Sequence, residues 1–76
     1  MKVKDLIKKL EQLDPELHVF IHGYEGGYSE VEGISEEEEF ALNVHSEWYY
    51  GSHELAKDKM YVPDKSKYKI VNGIIL

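Results

Sequence analysis

Val3, Leu6, Ile7, Leu10 and Leu13 recur at the spacing of one face of an α-helix, and Asp14-Pro15 closes the pattern. Apolar residues three and four positions apart share one side of a helix with 3.6 residues per turn. Lys4, Lys8, Lys9, Glu11 and Gln12 occupy the remaining faces. A proline pushes the residue before it out of the α region, so the helix stops at Asp14. The spacing therefore predicts one N-terminal amphipathic helix, which fixes how the rest of so short a chain can be arranged.

After Pro15 the apolar residues alternate instead. Leu17, Val19 and Ile21 line one face of a predicted strand, with His18, Phe20 and His22 on the other. Gly23-Tyr24-Glu25-Gly26-Gly27-Tyr28 breaks it into a loop. A second strand is expected at Glu30 to Ile34, a charged turn at Ser35 to Glu38, and a third strand at Glu39 to His45. His53 to Lys59 fits one or two helical turns, Met60-Tyr61-Val62 a short extended piece, and Asp64-Lys65-Ser66-Lys67 a polar turn. Tyr68 to Leu76 is apolar and β-branched and reads as a last strand. Asn72-Gly73 favours a hairpin turn, but with three residues left a bulge or kink is the better reading. The expected class is α+β: one N-terminal helix packed on a small, mostly antiparallel sheet of three or four strands.

Seventy-six residues accommodate a single small domain, 1–76, with a thin core. With no cysteine there is no disulfide, thiolate zinc site or thiol nucleophile. A net charge of −6 and the absence of Arg speak against direct nucleic-acid binding. The start lacks a signal-peptide pattern, and no apolar run approaches the ~20 residues of a membrane span. A cytoplasmic protein that does not enter membranes is expected.

Charge is unevenly distributed. Met1 to Gly23 is neutral overall, Tyr24 to Ala56 carries −9 with no lysine, and Lys57 to Leu76 carries +3. The acidic middle third also holds Tyr24, Tyr28, Trp48, Tyr49 and Tyr50. Tyr and Trp are enriched at protein interfaces, so Tyr24, Glu25, Tyr28, Trp48, Tyr49 and Tyr50 form a candidate protein-binding face. The competing reading is that the acids are solvated turns and the aromatics cap the core.

Metal and catalytic readings are weaker. His18 and His22 lie about 13 Å apart along a strand, whereas two ligands of one ion sit within about 4 Å. His45 and His53, with Glu47, Glu54 and Asp58 nearby, supply the donor types of a metal or small-ligand site but match no ligand spacing. Glu36 to Glu39 form a charge run that reads as exposed, with nothing to hold two carboxyls in a dry pocket. The Gly23–Gly27 loop lacks the Lys-Ser/Thr of a phosphate loop, and no serine sits in a nucleophile elbow. Neither an enzyme nor a cofactor is expected.

The helix Val3-Lys4-Asp5-Leu6-Ile7, the step Asp14-Pro15-Glu16 and the strand Val19-Phe20-Ile21 resemble a group of small uncharacterised bacterial and prophage-type proteins. Gly23-Tyr24-Glu25-Gly26-Gly27-Tyr28 and Trp48-Tyr49-Tyr50-Gly51-Ser52-His53-Glu54 carry the more specific part of the likeness. The resemblance implies a bacterial or phage-borne cytosolic protein and transfers no site. The leading expectation is a non-enzymatic, acidic protein–protein interaction module whose partner is another protein, with a second copy of the chain as one candidate. A sharper form is a nucleic-acid mimic that occupies a basic groove. The alternative is a metal- or small-ligand-binding protein using His45, His53 and their neighbouring carboxylates.

Overall fold

The computed structural model describes residues 1–76. The chain divides into two compact units, Met1–Glu32 and Gly33–Leu76. The class is α+β: one N-terminal helix and five short strands in two antiparallel sheets. No helix is long and apolar enough to cross a membrane.

The first unit is a helix followed by a β-hairpin. Helix α1 spans Val3–Leu10. Its start is held by Asp5, whose carboxylate accepts the Lys2 N–H at 3.0 Å, satisfying a backbone donor at the helix entrance. Helical bonding continues past Leu10 in tighter form, with Gln12 N–H donating to Lys9 and Leu13 N–H to Leu10. The stripe thus follows a helical path to Leu13, although only its first part is regular α-helix. Strands β1 (Phe20–His22) and β2 (Tyr28–Glu30) then pair, with Phe20 opposite Glu30 and His22 opposite Tyr28. Both differ from expectation. Leu17 is drawn into the turn after Pro15 by its bond to the Asp14 carbonyl. The second strand begins at Tyr28 rather than Glu30 because the loop closes early: Gly23 N–H donates to the Gly27 carbonyl at 3.0 Å. Gly27 holds φ at +65°, a left-handed conformation that costs glycine little.

In the second unit, β3 (Glu38–Ala41) is the central strand, with β4 (Glu54–Leu55) on one side and β5 (Ile70–Gly73) on the other. Both pairings are antiparallel, placing Phe40 opposite Leu55 and opposite Val71. Ala41, Ala56 and Val62 are its fully buried residues, so the core lies against the middle of β3. The expected third strand, Glu39 to His45, is cut short at Asn43, whose φ of 57° turns the chain. The Asn43 N–H, released from the ladder, donates to His53 Nδ1 at 3.0 Å. The expected helical turns at His53 to Lys59 give way to β4, because Glu54 and Leu55 pair with β3. Met60-Tyr61-Val62 is a turn rather than an extended piece, closed by Val62 N–H donating to the Asp58 carbonyl at 2.8 Å. The polar segment after Pro63 forms a single 3-10 turn, Lys65–Lys67, capped by Asp64.

No bulge occurs at Asn72-Gly73. Both residues stay in the ladder, opposite Glu39 and Glu38. Phe40 supplies the reason for the glycine: a Cβ at position 73 would lie 3.2 Å from its ring carbons. Glycine lets the ring lie against the neighbouring strand.

Candidate functional site

The six candidate contact residues fall into two groups, one in each unit. Tyr24 and Glu25 sit in the hairpin loop of the first unit, and Tyr28 begins β2. Tyr24 is 100% exposed. Tyr28 is mostly exposed and leans on His22, ring centroids 5.1 Å apart. His18 bonds Glu30 and stacks with Phe20, so His18 and His22 both serve cross-strand pairing within the hairpin.

In the second unit Trp48 and Tyr49 are the middle residues of a turn closed by Tyr50 N–H donating to the Glu47 carbonyl at 3.1 Å. Trp48 is 93% exposed, Tyr49 70% and Tyr50 46%. Below the turn, Val44 and His45 both donate backbone N–H groups to the Ser52 carbonyl, at 2.7 and 3.0 Å. These bonds tie the two sides of the loop together and carry it down to β3 and β4.

The aromatic side chains form a continuous series. Trp48 meets Tyr49 edge-on at 5.6 Å, Tyr49 lies 6.4 Å from Tyr50, and Tyr50 lies 4.5 Å from the His45 ring. His45 in turn meets the Tyr61 ring edge-on at 5.1 Å, and the Tyr50 and Tyr61 hydroxyls are 3.4 Å apart. Edge-to-face and tilted pairs at these separations are favourable. His45 is the pivot: its Nε2–H donates to Glu54 Oε1 at 2.8 Å, and both side chains are largely sheltered. The Tyr50 phenol is pushed above its ordinary value of 10.0, first by its bond to the Tyr61 hydroxyl and by the charge of that neighbouring phenol, then by desolvation, and last by the negative charges of Glu54 and Glu47. The aromatic end of the unit thus sets two carboxylates, Glu54 bonded to His45 and Glu47, near exposed ring faces.

Tyr61 was not legible as part of this group. It stands eleven positions from Tyr50 in a segment that reads as extended, and only the turn closed on Asp58 brings it under His45. His45 and His53, named for the alternative metal or small-ligand reading, have other partners here: Glu54 and two aromatic rings for His45, the Asn43 N–H for His53. No three His, Asp or Glu side chains converge as an ion's ligands.

The acidic run also resolves differently from expectation. Glu38 belongs to β3 rather than to the charged turn, and Glu39 lies in that strand as expected. Glu38 receives Lys57 at 3.3 Å and Glu39 receives Lys65 at 2.8 Å. Glu37, Glu38 and Glu39 share one groove with Lys57, Lys59 and Lys65. Part of the −9 of the middle third is therefore neutralised by the basic C-terminal segment, while Glu47 and Glu54 beside the aromatics meet no lysine.

No protein-family model, curated protein or solved structure matches this chain.

Proposed function

We propose that this chain is a non-enzymatic protein-interaction module of the cytoplasm, whose principal contact surface is the Trp48-Tyr49-Tyr50 turn backed by His45 and Tyr61. The observation that carries this reading is the position of Trp48. The largest apolar side chain in the chain stands 93% exposed at the head of a braced turn and adds almost nothing to the core of its own unit. Interface hot spots are enriched in Trp and Tyr, because they bring large contact area with few rotatable bonds. The neighbouring carboxylates favour a partner with a Lys- or Arg-rich segment, since a cation is attracted both to them and to the ring faces. Tyr24 and Glu25, at the tip of the first unit's hairpin, qualify as contact residues on the same grounds.

Trp48 is the sole tryptophan, so its fluorescence reports on this surface alone. Titration with basic and acidic peptides is expected to change Trp48 emission saturably with the basic ones only, and less at high salt as the charges are screened. Tyr49→Ala and Tyr50→Ala should each weaken that binding by about tenfold or more, the scale of an interface hot spot. A Trp48 signal indifferent to every basic peptide would count against the proposal.

A further inference from the structure

The apolar stripe on α1 is left open. Ile7, Leu10, Leu13, Leu17, Val19 and Phe20 line a groove of about 630 Å³ and are each 46 to 58% exposed. No residue of the first unit is buried. Side chains of this size, each half open, present on the order of 500 Å² of apolar surface, near the upper end for a lone monomer. That is also a large share of the roughly 800 Å² that each partner contributes to a stable interface of ordinary size.

The order of charges beside the groove indicates what covers it. From Lys2 to Lys9 the chain carries Lys2, Lys4, Lys8 and Lys9 against Asp5, a net +3. From Leu10 to Glu16 it carries Glu11, Asp14 and Glu16 with no base, a net −3. Such a segment complements itself when laid against a copy running the opposite way: each basic half then meets an acidic half. A parallel copy would set like charge on like. A two-fold axis requires this reciprocity, because the same patch must serve both partners. The stripe has the matching form. Val3, Leu6, Leu10 and Leu13 follow one another at intervals of three, four and three, the seam along which two helices interlock, and Ile7 widens it toward the groove.

We infer that the α1 face of the first unit binds a second copy of this chain, as an antiparallel pair of Lys2–Glu16 segments centred at the level of Lys9, so that Lys2 faces Glu16 of the copy and Lys8 and Lys9 lie beside its Glu11. This surface belongs to the first unit and is independent of the reading of Trp48. Sedimentation equilibrium over a concentration series should show the mass rising from 8.9 kDa toward twice that value. Charge reversal at exposed positions tests the geometry without touching the apolar residues. Lys8→Glu with Lys9→Glu, and separately Glu11→Lys with Glu16→Lys, should each weaken self-association at least tenfold, because each leaves like charge facing like. An equimolar mixture of the two variants should restore the dimer. Direction is read by cross-linking, since the chain has no cysteine of its own. Lys2→Cys should form a disulfide with Glu16→Cys when the two are mixed, and neither should pair efficiently with itself. A chain that stays monomeric throughout the series overturns the inference. So does a dimer indifferent to both charge reversals, or one in which each cysteine variant cross-links to itself.

Discussion

Asp64 accepts both the Ser66 hydroxyl, at 2.6 Å, and the Ser66 N–H, at 3.0 Å, and this holds its carboxyl below the ordinary 3.8. A depressed carboxyl stabilises the fold above its unfolded value, and the contribution fades as pH falls through the folded one. Ser66→Ala removes the hydroxyl donor and should move the Asp64 pKa back up toward 3.8, as read by carboxyl carbon shifts in an NMR titration. Tyr50 has the opposite sign. Its raised phenol favours the fold below pH 10.0, and that contribution is lost as the solution becomes more alkaline. Tyr61→Phe deletes the largest cause, so the Tyr50 titration should move to lower pH in the same kind of experiment. Asp64-Lys65-Ser66-Lys67 was legible as a polar turn because Asp and Ser bond the backbone two residues away. The Tyr50–Tyr61 pair was not, since contact between distant positions depends on turns whose closure leaves little local signal.

Among the elements, the hairpin loop and the core of the second unit are the places where single changes should tell. A Cβ on Gly23 would fall on the Gly26 carbonyl oxygen, a backbone atom that cannot step aside. Gly23→Ala should therefore open the loop and weaken the β1–β2 pairing, lowering amide protection at Gly23 and Val31, which donate to Gly27 and Val19. Val62 is fully buried, and Val62→Ala removes two methylene equivalents and leaves a void, so it should cost about 2 kcal/mol in chemical denaturation. Lys65→Ala breaks a bond to Glu39 that is open to water on both sides and should cost less than about 1 kcal/mol. The helix was legible from the period of its apolar residues and from Asp14-Pro15. Four of the five strands were legible too, but not their limits, and β4 was not, since Glu54 and Leu55 read as part of a helical turn. The limits are set by Asn43 leaving the ladder, by the early closure of the Gly23–Gly27 loop and by Phe40 occupying the space beside Gly73.

For the molecule as a whole, the α+β class followed from one helical period and later alternation. Which residues would be buried did not follow. A chain of 76 residues has little interior, and here Ala41, Ala56 and Val62 are its buried apolar residues. The aromatic and aliphatic side chains that composition would assign to a core instead stand open, on the Trp48 turn and along α1. Charge is partly cancelled inside the second unit, where lysines of the basic segment meet Glu38 and Glu39, whereas Glu47 and the His45-bonded Glu54 meet no lysine. Those two features together make the Trp48 turn the surface on which the proposed function rests. Its most direct test is collisional quenching of Trp48 fluorescence, first in the free protein and then with a saturating basic peptide. Full access in the free protein and shielding in the complex are expected. A Trp48 already shielded when free, or one equally accessible with every basic peptide, would contradict the account.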